Sequence, residues 1–555
     1  MSETILVAVA WPYANGSLHL GHIAGCYLPA DIFARYHRLK GNKVLMISGS
    51  DQHGAPITIR AEREKTTPQE IVSKYHKEFL NCWQQFGISF DLFTTTGTTN
   101  HTEVVHEIFS TLLEKGYLYK QVAPQAYCPQ CNRFMPDRYV EGTCPYCKFS
   151  EARGDQCDQC GQPLNPGDLI NFHCLICGQT PRFEKSEHFF LKLSAFEEQL
   201  KDWVSGQTQW RQNVLNFTMG ILESGLKDRA ITRDLEWGVT VPQPGFEKKR
   251  IYVWFEAVIG YLSASKEWAK LGNDVDSWKN FWGKDVKSYY FIGKDNIPFH
   301  TIIWPAMLMG YGALALPCNV PANEFLTIEG KKLSTSRNWA VWLPDYLQRY
   351  EPDPLRYLLS INMPETGDAD FSWHEFLRRN NNELVATYGN LVHRVLTFTN
   401  RNFNGVVPNV SELDNQTKEL LKKAEFILDA VGNLIEECRF KEGIKLAMQL
   451  AQEANRYIDE KAPWKIIKQD KQKAGEAVYG TLALLSSLRI MLYPYLPFSS
   501  QKLHNLLGFD GDLENEGWKT KLPVSGTKLP VPLPLFTKFD ECIVAEEMKR
   551  VGQER

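Results

Sequence analysis

The sequence predicts an α/β protein in which a parallel-sheet domain is interrupted by a cysteine-rich insertion and followed by an α-helical bundle. Three observations support this prediction. A short apolar run at residues 4–10 precedes a turn and a long helical pattern, eight cysteines fall in four C-x-x-C pairs between residues 128 and 177, and residues from about 378 to 507 keep helical spacing almost throughout. With 555 residues and 43% hydrophobic content, the chain is long enough for about three or four domains.

Composition limits the location and the partners of the protein. No apolar run approaches the length of a membrane span, and residues 4–10 lack the basic flank of a secretory signal, so we expect a cytoplasmic protein. The net charge of -3 does not indicate nucleic-acid binding. Any such partner would have to meet local basic groups, each of which is equally typical of a solvated surface: Lys331-Lys332 with Arg337, Arg378-Arg379, and Arg394 with Arg401.

The segment at residues 10–31, AWPYANGSLHLGHIAGCYLPAD, follows the first predicted strand. Its Asn-Gly pair predicts a turn, Ser17 is placed as an N-cap, and the apolar residues from 18 to 39 recur at helical spacing. His19 and His22 would then project from the first helical turn, where the backbone N–H groups and the helix dipole attract phosphate. The spacing alone leaves open two alternatives: a pair of ordinary structural histidines, or a metal-binding pair.

A second apolar strand at residues 43–47 ends in the sequence SGSDQHG. Because ligands bind beyond the carboxyl ends of parallel strands, we expect Asp51 to lie over the same crevice as His19 and His22. A carboxylate there suits an ammonium group or a ribose hydroxyl. The alternative is an aspartate that only caps a turn.

The paired cysteines predict metal sites. The pairs are Cys128/Cys131, Cys144/Cys147, Cys157/Cys160 and Cys174/Cys177. Each pair can contribute two thiolates to one tetrahedral zinc, so four pairs supply two structural zinc sites with every position filled by protein. The spacing itself allows both a nested and a sequential connectivity.

Three later segments are further candidates. Residues 290–295, YFIGKD, predict a strand that ends in a glycine and a charged pair, and residues 252–261 carry aromatic side chains for which a core position is the usual expectation. Residues 330–337, GKKLSTSR, combine lysines with small hydroxyl residues. Such a cationic loop can close on a triphosphate, although the segment on its own favours a solvated surface loop.

Together these motifs resemble the class I aminoacyl-tRNA synthetases, in the form found in the methionyl-tRNA synthetase family. PYANG at 12–16 followed by HLGH at 19–22 is similar to the HIGH signature, and KLSTS at 332–336 is similar to the KMSKS loop. The resemblance covers nearly the whole chain. The sequence departs from the family pattern at Thr335, which replaces the second lysine of the loop, and at Trp11, where leucine is usual.

The resemblance implies a role for each candidate residue. The residues expected to stabilise the phosphates, with Mg2+, are His19, His22, Lys332 and Arg233. The residues expected to bind ATP are Tyr13, Asn15, Gly21, Gly293, Asp295, Lys332, Ser334 and Ser336. The residues expected to bind methionine are Trp11, Tyr13, Asp51, Trp254, Tyr261, Phe299, His300 and Trp304. The residues expected to recognise the tRNA anticodon are Asn390, Arg394 and Trp464. The resemblance also favours the nested zinc connectivity, in which the two inner pairs share one ion and the two outer pairs share the other.

The implied organisation is a Rossmann-like catalytic domain in two halves, 1–116 and 228–325, separated by a connective insertion at 117–227. A stem-contact region with the KMSKS-like loop follows at 326–385, then an anticodon-binding bundle at 386–540 and a C-terminal helix at 541–555. The implied activity is ATP-dependent attachment of L-methionine to tRNA(Met) by a monomer. The alternatives are a class I enzyme for another apolar or sulfur amino acid, and a catalytically impaired tRNA-binding relative.

Overall fold

The computed structural model describes residues 2–335 and 338–553. Within these residues the strands are β1 Thr4–Val9, β2 Lys43–Ser50, β3 Leu92–Thr95, β4 Leu118–Cys128, β5 Arg133–Phe134, β6 Val140–Thr143, β7 Ala152–Arg153, β8 Ile170–Cys174, β9 Arg182–Leu191, β10 Arg229–Ala230, β11 Thr232–Arg233, β12 Arg250–Ile251, β13 Lys287–Gly293, β14 Ala322–Asn323, β15 Leu326–Ile328, β16 Lys331–Lys332 and β17 Ala369–Phe371.

The α-helices of the same residues are α1 Leu20–His22, α2 Leu28–Leu39, α3 Ala55–Glu64, α4 Pro68–Phe86, α5 Thr99–Glu114, α6 Glu197–Ser205, α7 Gln212–Glu223, α8 Val253–Leu271, α9 Trp304–Tyr311, α10 Leu343–Leu347, α11 Pro352–Ile361, α12 Trp373–Arg379, α13 Asn390–Asn402, α14 Asn415–Glu436, α15 Phe440–Lys461, α16 Pro463–Ile466, α17 Lys471–Leu492, α18 Pro497–Leu506 and α19 Cys542–Met548. Wider π-helical turns cover Ile23–Tyr27, Phe299–Ile303 and Asn380–Gly389.

The predicted α/β fold class is confirmed by a five-stranded parallel sheet with the order β14-β13-β1-β2-β3. Ile5 in the central strand β1 pairs with Lys287 on one side and Val44 on the other. Every residue from Ile5 to Val9 is buried, as expected for a parallel strand covered by helices on both faces. The chain proceeds from β1 to β2 and β3 and later returns to the opposite side of β1 with β13. The strand order therefore reverses between β1 and β13, which is where open α/β sheets bind ligands.

The cysteine-rich insertion is built on a long antiparallel pair. Strands β4 and β9 pair from Leu118 opposite Leu191 to Tyr127 opposite Arg182, at the centre of a four-stranded sheet with the order β10-β9-β4-β5. A small sheet with the order β7-β6-β8 lies among the cysteine pairs. Cys128 and Cys174 end strands β4 and β8, and the other cysteines of the four pairs lie in turns or loops.

The first long helix begins later than the sequence predicts. The sequence predicts Ser17 as the N-cap, but the N-cap is His19, whose backbone N–H donates to Nδ1 of His22 at 3.2 Å. The cause is tertiary pairing, because the N–H of Leu343 donates to the carbonyl of Leu18 at 2.8 Å and keeps that residue extended. The helix predicted as continuous also contains the π-helical turn at Ile23–Tyr27.

The C-terminal third is the predicted helical bundle. Its central helix is α17, in which every residue from 482 to 492 is buried, as expected for a helix surrounded by others. The last helix, α19, packs against the region around α10 and not only against the bundle. There Glu547 accepts hydrogen bonds from Arg349, at 2.8 Å, and from Tyr350, at 2.9 Å. Across the described residues, no helix has both the length and the hydropathy required to span a bilayer.

Candidate active site

The reversal of strand order between β1 and β13 opens into a cleft of about 650 Å³. It brings together residues separated by more than 300 positions in the chain. The predicted site residues that line it are Trp11, Tyr13, His19, Gly21, His22, Asp51, Trp254, Tyr261, Gly293, Asp295, His300, Lys332 and Ser334. One end of the cleft carries aromatic rings and the other carries the histidine pair and the lysine, so it has an apolar half and a polar half.

The histidine pair lies at the polar end. The two imidazoles stack with their centroids 3.7 Å apart and their planes 14° apart. Burial lowers the pKa of His22 to about 4, and burial together with the neighbouring His22 lowers the pKa of His19 well below its ordinary value. Both rings are therefore neutral at pH 7, and each retains one N–H to donate to an incoming oxygen.

The described part of the KLSTS segment lies beside this pair, and Lys332, Leu333 and Ser334 line the cleft. Lys331 and Lys332 form β16, which pairs with β15 in a hairpin. A Cβ placed on Gly21 would lie 2.6 Å from the Leu333 side chain and 3.0 Å from the His19 ring. The glycine of HLGH is thus the residue that lets the hairpin approach the start of the helix. Of the predicted loop residues, Ser336 and Arg337 lie outside the described residues.

Asp51 lies at the end of β2, on the floor of the cleft. Its exposed fraction is 4%, and burial, reinforced by the nearby Glu256 carboxylate, raises its pKa well above the ordinary value. A buried carboxylate of this kind gains most from a cationic partner, because a positive charge restores its ionised form. The geometry therefore suits an ammonium group of a ligand.

Beneath Asp51 lies a buried network that the sequence analysis missed. Glu256, with no exposed surface, accepts hydrogen bonds from Nδ1 of His53 at 2.8 Å and from Nε2 of His101 at 2.6 Å. Burial opposes its ionisation, but the two histidines lower its pKa to about 2. The available signal was a lone glutamate inside the otherwise apolar start of α8, since a buried carboxylate requires partners.

Aromatic rings form the apolar half of the cleft. Tyr261 Oη and Nε2 of His300 are 2.7 Å apart, and Nδ1 of His300 is 2.9 Å from the Asn296 carbonyl. Because a carbonyl only accepts, Nδ1 carries the proton, and Nε2 accepts from the tyrosine. Burial lowers the pKa of His300 to about 4, so this pair is neutral. Trp11 packs beside it, with its ring centroid 6.4 Å from that of Tyr261.

Four predicted residues do not line the cleft. Asn15 is part of the turn before the helix. Phe299 lies behind Trp254, which it stacks against at 4.0 Å, and Trp304 is fully buried. Arg233 lines a neighbouring cleft, and its guanidinium lies 3.9 Å from the centre of the Tyr252 ring. Their assigned roles remain predictions.

The eight cysteines form two groups, and the nested arrangement is the one found. Cys128, Cys131, Cys174 and Cys177 form the outer group, and Cys144, Cys147, Cys157 and Cys160 form the inner group. Sulfur–sulfur distances of 3.4 and 3.8 Å in the outer group, and 3.9 and 3.5 Å in the inner group, exclude disulfides. A tetrahedral zinc with bonds of about 2.3 Å separates its sulfurs by about 3.8 Å. Both groups therefore fit structural zinc.

The predicted anticodon residues lie together on the bundle surface. Asn390 and Arg394 share one face of α13, and the Arg394 guanidinium lies 5.1 Å from the centre of the Trp464 ring. Trp464 follows Pro463 at the start of α16, as predicted, and is 38% exposed. Arg394 also pairs with Asp459 at 2.7 Å. An exposed indole beside a cation is a suitable platform for an unstacked base.

A parallel sheet with an HLGH helix start at its switch point and the lysine-bearing β15–β16 hairpin beside it defines a class I aminoacyl-tRNA synthetase. Comparison with known sequences agrees. The family described as "tRNA synthetases class I (M)" matches residues 5–396, and the "Anticodon binding domain of methionyl tRNA ligase" matches residues 407–555. The chain belongs to the methionyl-tRNA synthetase family and is accordingly an aminoacyl-tRNA ligase.

Similar proteins align with this chain over its whole length. A methionine–tRNA ligase of Dehalococcoides mccartyi is 60% identical over 552 residues, which cover 100% of both chains. One of Thermomicrobium roseum is 51% identical over 579 aligned positions, which cover 99% of each. In fold, the chain is similar to the Mycobacterium tuberculosis methionyl-tRNA synthetase in complex with methionyl-adenylate, with a TM-score of 0.80 and 24% identity over 96% of this chain and 99% of that one.

Proposed function

We propose that the protein activates L-methionine with ATP and transfers it to the 3′ end of tRNA(Met). The observation that carries this proposal is the division of one cleft into an aromatic half with a buried carboxylate and a polar half with two neutral imidazoles and Lys332. The methionine ammonium binds Asp51, and the thioether enters the aromatic half, because sulfur packs favourably against aromatic rings.

In the first step a carboxylate oxygen of methionine attacks the α-phosphorus of ATP, and the bond to the pyrophosphate oxygen breaks. His19 and His22 donate hydrogen bonds to the phosphate oxygens, and Lys332, which lines the same end of the cleft, supplies positive charge. Mg2+ bound with ATP supplies further charge neutralisation. In the second step the terminal ribose hydroxyl of tRNA attacks the methionyl carbonyl carbon, and AMP leaves. Positioning and charge stabilisation account for both steps without a covalent protein intermediate.

The cysteine groups hold two zinc ions that stabilise the insertion, and Asn390, Arg394 and Trp464 bind the anticodon bases. We assign residues 1–116 and 228–325 to the catalytic domain, 117–227 to the connective insertion, 326–385 to the stem-contact region, 386–540 to the anticodon-binding domain and 541–555 to the tail. Because aminoacyl-tRNA is consumed by protein synthesis, we place the enzyme in the cytoplasm. The monomeric state stays a prediction.

Amino-acid-dependent exchange between ATP and labelled pyrophosphate, measured across the standard amino acids, tests this function. Methionine should support rapid exchange, and the other amino acids should not. Exchange that depends on a different amino acid would identify another class I specificity. No exchange with any amino acid, in a protein that still binds tRNA, would identify an impaired relative and would overturn the proposal.

A further inference from the structure

The inner cysteine group forms one wall of the active-site cleft. Phe149, Glu151, Asp158 and Gln159, all from the inner knuckles or the segment between them, line the cleft together with the histidine pair. The outer group contacts a different part of the molecule, since Arg133 pairs with Glu62 of α3 at 2.9 Å. The two cysteine groups therefore differ in what they support.

A hydrogen bond joins this wall to the β15–β16 hairpin. The Lys332 ammonium donates to Oε1 of Gln159 at 3.0 Å, across 173 residues of sequence. The adjacent lysine has a different partner, because the Lys331 ammonium lies 4.4 Å from the centre of the Trp339 ring. Of the two lysines in β16, Gln159 therefore contacts the one that lines the cleft, Lys332.

Neighbouring residues hold the backbone around Gln159 on the face of the insertion that lines the cleft. The N–H of Gly161 donates to the Cys157 carbonyl at 2.8 Å and closes the C-x-x-C turn that contains Gln159. Gln156 Nε2 donates to the Gly161 carbonyl at 2.9 Å and to the Asp295 carbonyl at 3.2 Å, which ties the knuckle to the loop after β13. The acceptor offered to Lys332 is therefore held relative to the floor of the cleft.

We propose that Gln159 is a positioning residue for adenylate formation: it holds the Lys332 ammonium at the mouth of the cleft, where the phosphates of ATP enter. A lysine side chain loses considerable rotamer freedom when it is fixed, and a pre-placed acceptor reduces that cost at the moment of binding. The inner cysteine group then contributes to catalysis by presenting this side chain. This inference rests on the proposed function, specifically on the role of Lys332 in methionine activation.

The chain supplies a matched control. Gln130 occupies the same third position of a C-x-x-C pair, Cys128 to Cys131, and is exposed like Gln159, but it belongs to the outer group. Substitution of either glutamine removes the same side chain from the same kind of knuckle. The two variants differ in whether a contact with the hairpin is lost.

The test compares Gln159→Ala, Gln130→Ala and wild type in methionine-dependent pyrophosphate exchange, with zinc content measured on each. We expect Gln159→Ala to lower kcat about three- to tenfold, as for loss of an exposed hydrogen bond to a charged group, with the methionine KM and the zinc content unchanged. Gln130→Ala should match wild type. In a Lys332→Ala background, Gln159→Ala should change the rate by less than about twofold, because the two residues act through one contact.

Wild-type exchange in Gln159→Ala, or an equal loss in both backgrounds, would overturn the inference while leaving the proposed function intact. If Gln159→Ala loses zinc, Gln159→Met takes its place in the test, since methionine keeps the length of the side chain and removes the amide acceptor. Wild-type exchange in Gln159→Met also overturns the inference. Absence of exchange in the wild-type enzyme would instead defeat the proposed function.

Discussion

The imidazole rings of His19 and His22 stack face to face, 3.7 Å apart, at the start of the first long helix. Since both rings are neutral, the pair offers hydrogen-bond donors to a phosphate without adding a fixed positive charge. Positive charge comes instead from Lys332, which belongs to the neighbouring β15–β16 hairpin and lines the same end of the cleft. This separation of donors from charge has consequences that can be measured.

The lowered pKa of His22 predicts a pH dependence of the free energy of unfolding. The pKa of His22 is about 4 in the folded protein and about 6.5 in an unfolded chain, so between these values the unfolded state binds more protons. The free energy of unfolding should therefore fall as the pH drops from about 6.5 towards 4. In His22→Asn this fall should be shallower, which urea titrations over that range would show. Parallel curves for the two proteins would contradict the shift.

Removal of the Asp51 carboxylate should weaken methionine binding selectively. In Asp51→Asn we expect the methionine KM to rise about a hundredfold, because a buried charge-assisted contact is lost, while the KM for ATP changes little. A methionine analogue without the amino group is the control, and its binding should not distinguish the variant from wild type. Equal losses for both ligands would place the ammonium elsewhere.

The two adjacent lysines of the hairpin should differ in effect. Lys332→Ala should slow pyrophosphate exchange about a hundredfold, within the range seen when a group that stabilises developing charge is removed, and should leave methionine binding nearly unchanged. Lys331→Ala should have a smaller effect, because that side chain packs on Trp339. Exchange kinetics at saturating methionine separate the two variants. An unaffected rate in Lys332→Ala would remove this residue from the mechanism.

Trp464→Ala should separate tRNA charging from adenylate formation. Base stacking contributes about 1–3 kcal/mol per base, so kcat/KM for tRNA should fall about tenfold or more while pyrophosphate exchange stays near the wild-type rate. Phe426→Ala is the matched control, since Phe426 is an exposed aromatic residue elsewhere on the bundle, on α14. Equal losses of charging and exchange in Trp464→Ala would indicate a folding role instead.

The nested cysteine groups predict the result of single substitutions. Dialysed wild-type protein should retain about two zinc ions per chain, and Cys147→Ser and Cys177→Ser should each retain about one, because they disrupt different groups. A double substitution within one group, Cys144→Ser with Cys147→Ser, should also retain about one. Metal analysis of the purified proteins checks each value, and zero metal in folded wild-type protein would defeat the assignment.

Other parts of the site could not be inferred from local sequence. Lys294, one of the charged pair that follows the glycine at the end of β13, pairs with Glu324 at 2.6 Å and with Asp368 at 2.9 Å. Both carboxylates lie far along the chain, so sequence spacing gave no indication of them. Arg378 and Arg379, a basic group outside the cleft, are paired with Glu375, and this pairing could have been inferred from the sequence. Their partner lies one helical turn away, so the i, i+3 and i, i+4 spacing was an available signal.

The amino-acid sequence alone determined the α/β class, the four knuckles, the helical bundle and the family, because each depends on short-range periodicity or on residue types at fixed spacing. Only the tertiary structure decided where the first helix begins, which cysteine pairs meet, and that Glu256 binds two histidines beneath Asp51. The physical reason is that extended pairing, metal-ligand geometry and compensation of buried charge join residues tens to hundreds of positions apart, and no local pattern encodes those distances.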